Sequence, residues 1–308
     1  MAILLIMMIL TGTTTPNRAG GGEQPEGQVD RRLQSRLVAL TEDFHGDVGI
    51  YARHLSTGRH VAIRADELFP TASLIKVPIL LALFEKINAG ELDYHGVLTY
   101  HDSLLYAGVD LLGSFKSGEG ITLSRLVLLM ITMSDNTASL WCQELAGGGT
   151  AINAWLEEHG FPLTRVNSRT PGRHADWEAF GWGQTTPREL TRMLVMIREG
   201  RAVSPAASEE MYRVLSRVFW DAHALSQVPP TVEVASKQGA VNRSRSEVAL
   251  VNGPSGDYVF AVVTRNQVDE SWGRENEGFA LLRAVSRLLW ETFEPNNGWE
   301  PAEGAEDW

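Results

Sequence analysis

Period-two alternation of apolar residues occurs near the two ends of this chain and hardly between them. That placement constrains the fold more than any other feature. Val48 to His54 and His60 to Ile63 read as strands joined at Ser56-Thr57-Gly58. Thr231 to Ser236, Glu247 to Asn252 and Tyr258 to Thr264 read as three more, with the turn Pro254-Ser255-Gly256-Asp257 between the last two. Strands so placed are expected to pair into one largely antiparallel five-stranded sheet. The middle has helical spacing instead. Ser73 to Asn88 carries a dense apolar run and stops at Asn88-Ala89-Gly90. Leu123 to Met133, Thr150 to His159, Pro187 to Arg198 and residues 204–219 follow, with Thr185-Thr186 placed to cap the helix at Pro187. Amphipathic stretches at each end, with Leu33, Leu37, Leu40 and Phe44, then Phe279, Leu282, Val285 and Leu289, complete the pattern. The expected fold class is α/β in the α+β sense. A sheet lobe (29–66 and 221–293) with the terminal helices on one face joins an all-helical lobe (67–220). The tail from Glu294 to Trp308 is polar and expected to fray.

Composition narrows the functional classes. The chain has 308 residues, enough for a substantial core, and 44% apolar content, near the globular average. A net charge of -11 argues against nucleic acid as the main partner. Met1 to Leu10 is nearly all apolar and a Thr- and Gly-rich stretch runs on to Gly22, so residues 1–28 read as a signal-like segment and linker. The run is too short to span a membrane as a helix, and the protein is expected to be exported, periplasmic or secreted. Basic residues before the apolar run are lacking, so the start of the signal is expected either here or upstream. Cys142 is the only cysteine and reads as a small buried hydrophobe on a helix. The eight histidines lack metal-ligand spacing, and His174 with Asp176 reads as a solvated pair on a loop, so no metal or cofactor is expected.

Three short segments carry the chemistry. Ser73-Leu74-Ile75-Lys76 puts a hydroxyl and an amine one turn apart on one helix face. A serine needs a base to become a nucleophile, and lysine serves only with a depressed pKa, which the apolar neighbours Leu74, Ile75, Val77 and Pro78 favour. The Ser73 N–H, near a helix start, can face a developing oxyanion. In Ser134-Asp135-Asn136, Ser134 can shuttle a proton to a leaving nitrogen, Asn136 can hold a substrate amide through paired donor and acceptor, and Asp135 can brace the turn. In Lys237-Gln238-Gly239-Ala240, Lys237 places positive charge near a substrate carboxylate, Gly239 lets substrate approach the strand, and the Ala240 N–H supplies a second oxyanion donor. Each segment alone is also an ordinary helix start, turn or edge strand; three in order are not.

These segments resemble the S-x-x-K, S-D-N and K-T-G set of class A β-lactamases and penicillin-binding proteins. The likeness extends to the flanks Phe69 to Leu80 and Ile131 to Ala138, to Thr185-Thr186-Pro187 at the exit of the Ω-loop, and over roughly residues 30–293. It implies a serine hydrolase that opens β-lactam rings through an acyl-enzyme on Ser73, with Lys76 as activating partner and Ser134 as relay. It implies substrate contacts from Asn136, Lys237, Gln238, Gly239 and Ala240, and a carboxylate clamp from Arg245 or else Arg243. The expected ligand is a β-lactam or a D-Ala-D-Ala-like peptide, bound by a monomer without a cofactor.

Two departures qualify the resemblance. Gln238 stands where the family has Thr or Ser. Counting back from Thr185 puts Thr170 where class A enzymes carry the glutamate that activates the deacylating water, and 165–172 holds no carboxylate. The nearest are Asp176 and Glu178. Glu178 is either a base brought in by a shifted loop or a solvated loop residue. Without a base the implied alternatives are a D-Ala-D-Ala carboxypeptidase, a related amide or ester hydrolase, or a protein that β-lactams acylate without turnover.

Overall fold

The structure, a computed structural model, describes residues 27–106 and 110–305. The signal-like segment up to residue 26 lies outside them. In chain order the helices are α1 (Arg31–Thr41), α2 (Lys76–Asn88), α3 (Leu123–Thr132), α4 (Asn136–Leu145), α5 (Gly148–Glu158), α6 (His174–Phe180), α7 (Pro187–Arg198), α8 (Pro205–Leu215) and α9 (Glu277–Phe293). The strands are β1 (Asp47–His54), β2 (His60–Ile63), β3 (Phe69–Pro70), β4 (Val97–Thr99), β5 (Gly120–Thr122), β6 (Arg165–Val166), β7 (Gly183–Thr185), β8 (Val234–Val241), β9 (Ser244–Val251) and β10 (Tyr258–Arg265). No described helix is long and apolar enough to cross a membrane.

The five long strands form one antiparallel sheet in the order β2-β1-β10-β9-β8, so strands from both ends of the chain do pair. Both faces are covered. Leu33 and Leu37 of α1 and the apolar side of α9 pack with Ile50, Ala249, Phe260 and Val262 on one face. Ala235, Val248, Leu250, Val259 and Val263 meet the helical lobe on the other. Burial on two faces explains why β10 is almost continuously apolar.

Several boundaries differ from the sequence reading for local reasons. Pro78 has no N–H to give the Leu74 carbonyl, and the segment before it tightens into a 3₁₀ turn over Ala72–Ile75 before α2 begins at Lys76. Pro229 and Pro230 open a turn closed by the Val232 N–H on the Pro229 carbonyl, which delays β8 to Val234. The segment around Asp176 and Glu178, expected as a loop, is the two-turn helix α6. The tail is tied down at least to Glu300. Glu294 is buried and accepts from the Ser255 N–H and hydroxyl, Trp299 packs edge-on to Trp290, and Arg287 reaches Glu300.

Candidate active site

The 3₁₀ turn brings Ser73 to a half-buried position beside Lys76, which has no exposed surface. The Lys76 Nζ lies 2.9 Å from Ser73 Oγ, 3.0 Å from Ser134 Oγ, 2.9 Å from Asn136 Oδ1 and 2.6 Å from the Ser134 carbonyl oxygen. Burial, reinforced by the charge of Lys237, holds its pKa well below the ordinary lysine value, while Asp110 and Asp135 oppose the shift. The two carbonyl-type oxygens only accept, so they take two N–H groups. What remains on a neutral amine is its lone pair, aimed between the two hydroxyls. Lys76 thus has the geometry of a base for either serine.

Ser134 holds φ +58 between α3 and α4, a left-handed conformation unusual for a non-glycine residue. Neighbours hold it there. Asp135, 2% exposed, caps α4 through the Ala138 N–H at 2.8 Å and accepts the Leu112 N–H at 2.8 Å. Asp110 accepts the N–H groups of Asn136 and Thr137 at 2.9 and 3.0 Å. The indole of Trp220 donates to the Met133 carbonyl at 2.9 Å. The sequence reading pointed to neither Asp110 nor Trp220, because nothing in their local pattern announces a long-range contact. Asn136 Oδ1 is engaged by Lys76, so its NH₂ group is left to donate; the paired donor and acceptor expected from sequence reduces to a donor.

β8 is the edge strand and lies against the 3₁₀ turn. A Cβ on Gly239 would stand 2.7 Å from the Thr71 carbonyl oxygen and 3.1 Å from the Ser73 nitrogen. Gly239 therefore lets the nucleophile turn dock on the strand, rather than admitting substrate, and it brings Ala240 alongside that turn. Lys237 is 1% exposed and donates to the Gln238 carbonyl at 2.9 Å. Burial pushes it down to about 7, against the pull of Glu247. Gln238 falls on the α9 face of the sheet, opposite Glu247 in the β8–β9 register.

Besides Gln238, turned to the α9 face, the structure keeps Arg245, Arg243 and Glu178 out of this site. Arg245 pairs with Ala240 on the α9 face and is completely buried there. Its guanidinium donates through the two terminal nitrogens to the carbonyls of Val241, Ser244 and Ser271, leaves Nε buried without a partner, and lies 4.3 Å from the centre of the Trp272 ring. Arg243 reaches the carbonyls of Gln267 and Asn266 at 3.1 and 3.2 Å. Glu178 projects from α6 with 65% of its side chain exposed, paired with His174 at 3.3 Å. Thr170 is no replacement: its hydroxyl donates to the Ser168 carbonyl at 3.0 Å and packs over Gly149 of α5. Cys142 is fully buried and its thiol is pushed up by burial.

A sequence profile for the β-lactamase enzyme family matches residues 31–293. The chain belongs to that family. Among curated relatives, the β-lactamase of Streptomyces fradiae is 28% identical over 275 residues, covering 85% of this chain and 86% of the relative. That of Bacillus licheniformis is 25% identical over 270 residues, covering 85% of each. Among solved structures, PBP-A superposes with a TM-score of 0.78 at 27% identity over 88% of this chain and 99% of its own. An ancestral class A β-lactamase gives 0.73 at 26% over 84% and 99%. A mutant of PBP-A, solved as an acyl-enzyme complex with penicillin G, gives 0.78 at 25% over 88% of this chain and all of its own.

Proposed function

We propose that this member of the family opens β-lactam rings by acylating Ser73 and releases the product slowly. The observation that carries the reading is the Lys76 amine, buried, held low in pKa and placed at 2.9 and 3.0 Å from the two serine hydroxyls. Lys76 takes the Ser73 proton as Oγ bonds to the lactam carbonyl carbon. The oxyanion faces the N–H groups of Ser73 and Ala240. The C–N bond then breaks, and the nitrogen receives its proton from Ser134, which Lys76 replenishes. The Asn136 NH₂ donates to the carbonyl of the acyl side chain, and Lys237 faces the carboxylate.

Hydrolysis of the ester needs water activated from the Ω-loop side. Residues 165–172 offer no carboxylate there and Glu178 is turned to solvent. Mixing the protein with a penicillin and following intact mass tests both halves: an adduct should form and outlast acylation by a wide margin. Rapid return to free mass with turnover would remove the slow step, and absence of any adduct would remove the reading. The same missing carboxylate favours a second reading, a D-Ala-D-Ala carboxypeptidase that β-lactams block, which release of D-alanine from a D-Ala-D-Ala peptide separates from the first. The apolar run Met1 to Leu10 supports export; N-terminal sequencing of the protein recovered outside the cytoplasm checks it.

A further inference from the structure

Phe219 and Trp220 lie in the segment that links α8 to a 3₁₀ turn at Ala224–Gln227. Both side chains are exposed, at 58% and 46%. One exposed apolar residue needs no explanation, but two adjacent rings held in place do. The Phe219 N–H donates to the Thr132 carbonyl at 3.1 Å, and the Trp220 indole N–H to the Met133 carbonyl at 2.9 Å. Those carbonyls end α3, where a helix leaves its last acceptors without partners of its own. The tether accounts for the indole. It does not account for the Phe219 ring, because any residue other than proline could give that backbone N–H. The two rings stand edge to face, with centroids 5.1 Å apart at 89°, which fixes the phenyl group as well.

The place of the pair gives the ring a use. Met133 immediately precedes Ser134, whose hydroxyl lies 3.0 Å from the Lys76 amine and passes the proton to the departing nitrogen. Phe219 and Trp220 therefore stand on the side of the site from which the nitrogen leaves. The Asn136 side is bounded by other rings: the Tyr106 N–H donates to Thr137 Oγ1 at 3.1 Å, and its ring meets Trp182 at 5.2 Å. We propose that Phe219 and Trp220 form the wall against which the leaving half of the donor binds, so that the enzyme selects acyl donors carrying a flat apolar group close to the scissile nitrogen. This rests on the functional reading above and names the substrate class of that site. A terminal D-alanine brings only a methyl group to this wall and leaves both rings in water, whereas a lactam fused to a second, substituted ring can cover them.

The test uses two cephalosporins with the same thienylacetyl acyl group. Nitrocefin carries a dinitrostyryl arm on its leaving half, and its analogue has a methyl group there. Intact mass gives the half-saturating concentration and the maximal rate of acylation for each. The wild type should half-saturate at about tenfold lower concentration of the styryl donor. Phe219→Ala keeps both tethers to α3 and should remove most of that preference, while the ratio of the two maximal rates moves by less than about twofold. Trp177→Ala, which removes an exposed indole from α6, should leave the preference intact. Equal weakening of both donors by Phe219→Ala, or an equal fall in preference in Trp177→Ala, overturns the inference. If Phe219→Ala does not yield folded protein, Phe219→Leu, which keeps apolar bulk without a flat face, should show the same selective loss in smaller degree, and an unchanged preference overturns it. A wild type that forms no adduct with either donor removes the functional reading as well. A wild type acylated without preference for the styryl donor removes this inference alone.

Discussion

Gly239 and Ser73 meet backbone to backbone: a methyl group on Gly239 would lie 3.1 Å from the Ser73 nitrogen. The third motif is thus the floor on which the first is seated. Gly239→Ala must push the 3₁₀ turn off β8. It is expected to cost about 1–3 kcal/mol of stability by overpacking. It should slow acylation by about tenfold or more, because a displacement of even 1 Å at a reacting group is costly. Stopped-flow acylation set beside a denaturant melt checks both; an unchanged acylation rate contradicts the seating.

The depressed pKa of Lys76 has a consequence with a definite sign. A lysine of ordinary pKa would lose neutral amine tenfold for each pH unit below about 10.5, hence about 30-fold between pH 9 and 7.5. With the folded value held well below that, the maximal acylation rate at saturating donor should fall by clearly less than this 30-fold over the same interval. Saturation matters because Lys237, down to about 7, weakens carboxylate binding as pH rises. A steep decline toward neutrality would mean that Lys76 is charged.

Arg245 belongs to stability. It ties the β8–β9 turn to Ser271 and lies over Trp272 and Phe279. Arg245→Met leaves those carbonyls without donors and should cost about 2–4 kcal/mol in a urea melt, while half-saturation by a carboxylated donor stays within about twofold. A selective loss of affinity for the acid would return Arg245 to the site.

Glu178 is exposed and paired with His174 across one turn of α6. Glu178→Gln should leave the lifetime of the acyl-enzyme within about twofold of wild type, since an exposed pair contributes little and faces solvent. A large lengthening would identify it as the base.

These cases show where sequence was informative. The sheet was legible because strands buried on two faces carry long apolar runs, as in Tyr258 to Thr264. Ser73 and Lys76 were legible because a one-turn spacing survives whether the turn is 3₁₀ or α. Arg245 was misjudged because one residue of register decides the face of a strand, and the turn between β8 and β9 fixes that register. Glu247 enters the sequence reading only as the start of a strand, and nothing in that pattern announces the Ser236 hydroxyl and the Ala224 N–H around it. Gly239 was recognised as requiring close approach, but the approaching backbone is the protein's own.

The most direct test of the central claim is peptide mapping after reaction with a penicillin, on the wild type and on Lys76→Ala. The wild type should carry one adduct, on Ser73, and Lys76→Ala should acquire it at least about a thousandfold more slowly, as expected when a general base is removed from a serine nucleophile. An adduct on any other residue, or one that forms on Ser73 as fast without Lys76 as with it, would contradict the account.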